Sequence, residues 1–172
     1  RHRDWTAVRP RSFSAGLDGL RRSFRVVVAD VDADVEGEQT SGSLDVEERN
    51  TMARVTTTAA DLIVVVGQPG MKGLHSLLRT TRELLAHGIE GRRLLPVVNR
   101  SPRSPRARAE LTAAFGELLG AQADVGVPSP IHLQERRHLD DLLRDGARLP
   151  EGWLAPVAGT VRALLDRDGD GR

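Results

Sequence analysis

The sequence predicts an α/β fold with a mostly parallel β-sheet and helices on both of its faces. From Phe13 onward, short apolar runs typical of strands alternate with segments of helical periodicity. The run at 62–66 is continuous and β-branched and precedes a glycine-rich turn, which is typical of a strand buried on both faces. Hydrophobic residues make up 39% of the 172 residues and charged residues 28%, which suits one packed domain and excludes a disordered chain. We therefore expect a single domain over 1–172, with flexible ends at 1–12 and 167–172.

Each predicted element follows from a local pattern. Ser14 is a typical cap for a first helix, and the apolar residues 26–29 predict a strand that ends at Asp30. Asp45 and Glu48 have the spacing of a capping box, so a second helix should begin near Asp45. The remaining patterns predict, in order, a strand at 62–66, a helix at 74–87, a strand at 94–98, a helix at 107–119, a strand at 125–127 ending at Pro128, and helices at 132–144 and 152–166.

The composition excludes several classes of protein. With 25 basic and 24 acidic side chains the net charge is +1, which argues against a globally polycationic nucleic-acid binder. The absence of cysteine excludes disulfides, zinc fingers and thiol nucleophiles, and it fits a reducing cytoplasm. No apolar run approaches the ~20 residues of a membrane helix, so we expect a soluble protein without a transmembrane segment. Basic charge is almost all arginine, with Lys72 the one lysine, which is typical of a GC-rich bacterial genome.

Charge is concentrated in two blocks of opposite sign. Between Asp30 and Glu48 there are eight acidic residues and no basic one, and between Arg92 and Arg108 there are six arginines and no acidic residue. Both blocks fall in loops predicted to follow strands, and such loops gather at one edge of an open α/β sheet, where ligands bind. The alternative is that each block is a solvated loop of skewed composition.

Three aspartates are candidate magnesium ligands. Asp30, Asp32 and Asp34 leave a predicted strand at alternating positions, so they would project to one side of it. Mg²⁺ prefers hard oxygen ligands and usually keeps several waters while a phosphate supplies the rest. An acidic turn without a metal is the alternative.

The glycine-rich stretch 67–73 lies between a predicted strand and a predicted helix, where exposed amides and the helix dipole attract anions. Its order does not match a phosphate loop, because Lys72 precedes Gly73 and Leu74 instead of the required hydroxyl residue. A structural tight turn is the alternative.

Asn99 and Arg100 follow the predicted strand at 94–98 directly. An asparagine amide can hydrogen-bond to the edge of a purine while an arginine stacks on its face, or the asparagine can serve as a turn residue. The arginines of 100–108 could also bind nucleic-acid phosphates, although no aromatic residue among them offers a base a stacking platform.

Four segments in this order resemble the later part of a MinD/ParA-type ATPase, the branch of the P-loop NTPases with a deviant Walker A motif. They are Leu-Arg-Arg-Ser-Phe-Arg-Val-Val-Val-Ala-Asp at 20–30, Ala-Asp-Leu-Ile-Val-Val-Val-Gly at 60–67, Leu-Pro-Val-Val-Asn-Arg at 95–100, and Val-Pro-Ser-Pro at 127–130. The resemblance covers roughly residues 14–165.

The resemblance implies a cytoplasmic nucleotide switch that binds ATP and Mg²⁺. Members of the family alternate between ATP-bound dimers and ADP-bound monomers, and they position partner proteins in division, partition or cargo localisation. The resemblance assigns the Mg²⁺ shell and the γ-phosphate sensor to Asp30, with Asp32 as the second catalytic position. The adenine-binding positions that it implies are Asn99, Arg100, Pro128 and Ser129.

Two departures from the family bear on activity. The family's phosphate loop belongs upstream of these segments and is absent from the 172 residues, and Asp34 stands where the switch has a glycine. We therefore expect this chain to be the C-terminal portion of such an ATPase, without hydrolysis or tight nucleotide binding of its own. In the family the phosphate-loop strand lies between the strands expected at 26–29 and 62–66. Either a longer chain supplies it, or these two strands pair directly, because unpaired buried backbone groups are costly.

Hydrolysis of ATP is implied by the resemblance alone. Two other functions fit the same residues. One alternative is a non-catalytic α/β module that uses the acidic segment 30–48 and the basic segment 92–108 for protein contacts. The other is a weak DNA-binding module through residues 100–108, whose binding should weaken as salt rises.

Overall fold

The computed structural model describes residues 10–35, 42, 44–120, 126–136, 139–150 and 152–169. The chain divides into two compact units, Arg1–Ala60 and Asp61–Arg172. The described helices of the first unit are α1 (Pro10–Ser23) and α2 (Leu44–Ala59). The described elements of the second unit are β1 (Ile63–Gly67), α3 (Met71–Ala86), a 3₁₀ turn (Gly91–Arg93), β2 (Leu94–Ser101), α4 (Pro105–Leu119), β3 (Ile131–Gln134), α5 (Leu139–Arg144) and α6 (Ala155–Gly169).

The three strands form one parallel sheet in the order β1-β2-β3. β1 and β2 pair from Ile63 beside Leu94 to Gly67 beside Val98. A helix lies in each connection, α3 between β1 and β2 and α4 between β2 and β3, because parallel neighbours need a crossover. The predicted α/β class and the parallel sheet are therefore confirmed.

Helix α3 covers one face of β1, and it does so with the apolar positions that the sequence predicts. Leu74, Leu77, Leu78 and Leu84 are all buried. A Cβ atom built on Gly67 would lie 2.9 Å from Leu77 Cβ, so the glycine permits the close approach of helix and strand.

The strand buried on both faces is β2, and not β1 as predicted. Residues 94–98 of β2 are all buried, whereas Val64 and Val66 of β1 are 44% and 61% exposed. The reason is position in the sheet. β2 has a neighbour on each side, while in the described part of the chain β1 pairs with β2 alone and is covered by α3 only on the face of Val65.

The first unit departs from the prediction in two places. α1 begins at Pro10, and Ser14 lies inside the helix, where its hydroxyl donates to the Pro10 carbonyl oxygen at 3.0 Å. The predicted strand at 26–29 is wrong, since these residues have no regular secondary structure and Val28 is 91% exposed. β-branched residues favour strands, but a strand needs a partner, and no described residue pairs with this segment. The second helix is confirmed, beginning at Leu44.

The last strand also lies elsewhere than predicted. Residues 126 and 127 are not in a strand, residue 125 lies outside the described residues, and β3 occupies Ile131–Gln134, where the first turn of a helix was expected. The sequence Ile-His-Leu-Gln alternates apolar and polar residues with the period of a strand. Pairing with β2 stabilises this segment as a strand, where the sequence alone left a helix possible. Within the described ranges, no helix combines the length and apolar character needed to cross a membrane.

Candidate functional site

The carboxyl ends of the three strands share one edge of the sheet. Gly67 lies beside Val98, and Ser101 lies beside Gln134. The backbone N–H of Glu135, the first residue after β3, donates to the Ser101 carbonyl oxygen at 3.3 Å. The loops that follow β1, β2 and β3 therefore leave the sheet together, at the place where open α/β sheets bind ligands.

Asn99 and Arg100 form a β-bulge at this edge. Val98 pairs with His132 and Ser101 with Gln134, so two residues of β2 stand opposite one residue of β3. Arg100 has φ 53°, the one left-handed residue other than glycine in the described chain, and its backbone N–H donates to Asn99 Oδ1 at 2.8 Å. The left-handed conformation costs an arginine about 1–2 kcal/mol. The bulge turns an exposed guanidinium toward solvent at the end of the middle strand.

His132 connects the bulge to the elements beneath it. Its Nδ1 lies 2.8 Å from Ser101 Oγ, and its Nε2 lies 2.9 Å from Thr112 Oγ1 in α4. Burial, and then the positive charge of Arg108, lower the pKa of His132 below its ordinary value. Ser101 is only 1% exposed, so this serine–histidine pair is a structural connection and not an accessible nucleophile.

Trp153 contacts the end of β3, and no local sequence pattern indicates this contact. Its indole Nε1 donates to the Gln134 carbonyl oxygen at 3.1 Å, just before the start of α6, and the side chain is half-buried. The residue is 19 positions from Gln134 along the chain, so no local spacing marks the contact. The indole lies on the side of β3 away from β2, because the N–H of the same peptide group points to Ser101.

The edge is electropositive. Lys72 lies in the first turn of α3, and Arg100, Arg103 and Arg136 are exposed in or after β2 and β3. The amino termini of α3 and α4 lie at the same edge, because only three residues separate each helix from the end of its strand, and their dipoles add partial positive charge. This electrostatic environment favours an anionic ligand.

The other predicted adenine-binding residues do not lie at this edge. Pro128 and Ser129 precede β3, whose first residue, Ile131, pairs with Val97 in the first half of β2. A Cβ atom on Gly126 would lie 3.7 Å from the Arg92 backbone nitrogen, just before β2 begins. The segment therefore runs along the amino half of β2. The residues that follow β3, Glu135 and Arg136, occupy the place expected for Pro128 and Ser129.

The three aspartates lie in the first unit. Asp30, Asp32 and Asp34 are exposed on a segment without regular secondary structure. Among the residues that the structure describes, no three histidine, aspartate or glutamate side chains are placed to hold a metal ion together, so the expected aspartate cluster is not formed. The roles of Asp30 and Asp32 in holding Mg²⁺ and in catalysis stay predictions.

The glycine-rich loop after β1 is a tight turn. Gly70, with φ 87°, precedes α3, and a Cβ atom on Gly73 would lie 2.1 Å from the Gln68 carbonyl oxygen. The loop folds onto itself and needs glycine for that reason. The edge thus offers amide and guanidinium groups suited to a nucleotide base, whereas this loop does not provide the cradle that a triphosphate requires.

Comparisons of the chain with protein-family models, with curated proteins and with solved structures find no match. The fold and the site define an α/β protein with an open parallel sheet and a positively charged carboxyl edge.

Proposed function

We propose that this chain is the C-terminal portion of a MinD/ParA-like ATPase, a cytoplasmic nucleotide-dependent switch that positions or regulates partner proteins as a homodimer when complete. The observation that carries the proposal is the bulge of Asn99 and Arg100 at the carboxyl end of the middle strand. An energetically unfavourable backbone at a ligand edge is typical of a functional site, because a turn alone does not require a left-handed arginine.

The open side of β1 supports the same proposal. In the family that the sequence resembles, the phosphate-loop strand would adjoin the strand of residues 63–67. Among the described residues that side of β1 has no partner, and Val64 and Val66 are exposed on a strand that carries no charged residue. Natural edge strands are normally protected by charge, proline or a covering element. The lack of such protection fits a strand that is internal in a larger sheet.

Under this proposal the complete protein binds ATP and Mg²⁺, with Asp30 in the magnesium shell and Asp32 in the switch. The described edge of the second unit would hold the base end of the nucleotide through Asn99 and Arg100. The chain by itself has weak affinity, because the loop of 67–73 does not bind the triphosphate.

Photoaffinity labelling tests the base site even when affinity is weak. The chain is irradiated with 8-azido-ATP, digested, and the labelled peptide is identified by mass spectrometry. We expect label in the peptides from 99–108 or 134–153, prevented by excess ATP and reduced in R100A. The matched control is R79A, which removes the same charge about two turns into α3. Label that ATP does not displace, or label confined to other peptides, would contradict the proposal.

The ATPase itself is tested on the product of the complete reading frame. MgATP hydrolysis by that product supports the proposal, and it should be lost in D30A and retained in R79A. Absence of hydrolysis with a folded product would favour the non-catalytic protein-interaction module.

A DNA-binding module is a second candidate, favoured by the exposure of Arg100 at the end of β2, Arg103 in the following loop and Arg106 in the first turn of α4. Phosphate contacts of this kind make affinity fall steeply with salt concentration. Binding of duplex DNA that is lost between about 50 and 200 mM salt would support this candidate, and indifference to salt would remove it.

A further inference from the structure

An apolar stripe on α1 is left partly exposed. Phe13, Leu17, Leu20 and Phe24 recur at the spacing of one helical face. The Phe24 backbone N–H donates to the Leu20 carbonyl oxygen at 2.9 Å, so Phe24 continues the last turn. No residue of α1 is buried, and Leu20 and Phe24 are 46% and 59% exposed. An amphipathic helix normally buries such a stripe in its own core, so this face is suited to a partner.

The exposed apolar surface continues beyond the helix. Val26 and Val28 are 67% and 91% exposed on a segment without regular secondary structure. Large exposed apolar side chains that follow one another in this way mark an interaction site. Because the segment is irregular, it does not extend the stripe as one helical ridge of the kind that a groove in a partner protein binds. A fluid surface can contact both parts.

The same part of the chain is positively charged. Between residues 10 and 28 there are four arginines and one aspartate, a net charge of +3. Arg22, in the last turn of α1, and Arg25 are both exposed. Arginines interleaved with leucine, phenylalanine and valine are typical of segments that lie in the interface of an anionic bilayer. Duplex DNA would contact the arginines but leave the apolar side chains without a partner.

The aspartates that follow do not cancel this charge. Asp30 comes five residues after Arg25. Five residues of extended chain reach about 17 Å, whereas exposed charges are screened over about 8 Å at physiological ionic strength. The acidic residues can therefore stay away from a surface that the arginines contact.

We propose that residues 13–28 bind the surface of an anionic lipid bilayer. Leu20, Phe24 and the exposed valines lie among the headgroups, and Arg22 and Arg25 contact the lipid phosphates. Insertion is shallow, because the backbone beyond Phe24 has no regular secondary structure and its polar groups need water. The proposal goes beyond the nucleotide-dependent switch and requires no nucleotide.

Cosedimentation of the chain with lipid vesicles, without nucleotide, tests the proposal. Vesicles of phosphatidylcholine alone are compared with vesicles of equal parts phosphatidylcholine and phosphatidylglycerol. We expect binding to the anionic vesicles, much weaker binding to the neutral ones, and loss of binding as salt rises from about 0.05 to about 0.5 M. No binding to the anionic vesicles, or equal binding to both kinds, would overturn the proposal.

Two arginine variants test the charge. R22Q/R25Q should weaken binding to the anionic vesicles roughly 25-fold, about 5-fold for each arginine. R148Q/R162Q removes the same charge from exposed positions of the second unit and should bind as the parent does. Equal binding by the two variants would overturn the proposal.

Two further variants test the apolar contact. F24S/V28S should weaken binding to the anionic vesicles at least about 10-fold. V64S/V66S, at exposed positions of β1, should bind as the parent does. All of these substitutions lie at exposed positions, so the variants should fold, and circular dichroism checks this.

Two other results would assign the surface to another partner and overturn the lipid proposal. If the chain sediments without vesicles and F24S/V28S stays in solution, the surface is a contact between copies of the chain. If duplex DNA binds the parent and F24S/V28S equally but does not bind R22Q/R25Q, the arginines contact nucleic acid. Labelling by 8-azido-ATP is measured separately, so the nucleotide-dependent switch stands when vesicle binding fails.

Discussion

Ser101 and His132 are joined by a hydrogen bond of 2.8 Å between Oγ and Nδ1, across two neighbouring strands near their carboxyl ends. The other ring nitrogen lies 2.9 Å from Thr112 Oγ1 in α4. The imidazole therefore connects β2, β3 and α4 at the position directly after Arg100. The bulge lies between the backbone pairs Val98–His132 and Ser101–Gln134, and this side-chain connection joins a residue of each pair.

The free energy of unfolding should decrease in acid because the pKa of His132 is lowered in the folded protein. Its pKa is lowered in the folded protein by burial and by Arg108, whereas in the unfolded chain it has the ordinary value of about 6.5. As pH falls below about 6.5 the unfolded chain binds more protons than the folded one, so the free energy of unfolding decreases until the pH passes the folded-state pKa. Urea denaturation between about pH 7.5 and pH 5 measures this slope.

The slope is assigned to His132 by a pair of variants. H132Q should remove its share of the pH dependence, and H75Q, at an exposed position of α3, should leave the parent slope unchanged. Equal slopes in the parent and H132Q would show that another group is responsible.

The two glycines of α3 and α4 should respond oppositely to alanine. In G73A the new Cβ would meet the Gln68 carbonyl oxygen at 2.1 Å, so the loop must move, and we expect a loss of about 1–3 kcal/mol in unfolding free energy. In G116A nothing lies within 4 Å, and alanine should stabilise α4 by about 0.5–1 kcal/mol. Urea denaturation compares the two variants, and a destabilised G116A together with an unaffected G73A would contradict the loop geometry.

Elements that depend on local pattern were predictable from the sequence. Periodicity predicts the apolar stripe of α3. The change from apolar to polar residues after Val98 predicts that Asn99 and Arg100 lie at the end of β2. β3 was not predicted because four residues are too few for their periodicity to distinguish a strand from a helix. The pairing with β2, which favours the strand, is not visible in the sequence. The prediction of a strand at 26–29 is wrong for a related reason, because these residues pair with no strand among the described residues.

The contact of Trp153 with β3 is one that no sequence pattern could supply. Its contact with Gln134 depends on how α6 docks on β3, a tertiary contact between residues with no characteristic spacing. The left-handed Arg100 is similar, since arginine has no intrinsic preference for that conformation and only the pairing on both sides of the bulge imposes it.

The exposed face of β1 should make the chain prone to association. V66K places a charge at a position that is 61% exposed, so it should change the unfolding free energy by no more than about 0.5 kcal/mol while raising the concentration at which light scattering appears. V65K is the matched control, because Val65 is 5% exposed beneath α3 and a buried lysine should prevent folding. Unchanged scattering in folded V66K would show that this face does not drive association.

The conformation of Arg100 predicts opposite changes in stability and in ligand binding. Glycine adopts φ 53° without the steric cost that arginine has there, so R100G should unfold at an equal or higher urea concentration, with a gain of up to about 1 kcal/mol. The same substitution removes the guanidinium from the edge and should reduce 8-azido-ATP labelling. R103G is the control, since Arg103 is exposed in the loop directly after β2 without a left-handed backbone, and it should lose the charge without any gain in stability. A destabilised R100G that labels as well as the parent would show that the bulge serves the fold and not a ligand.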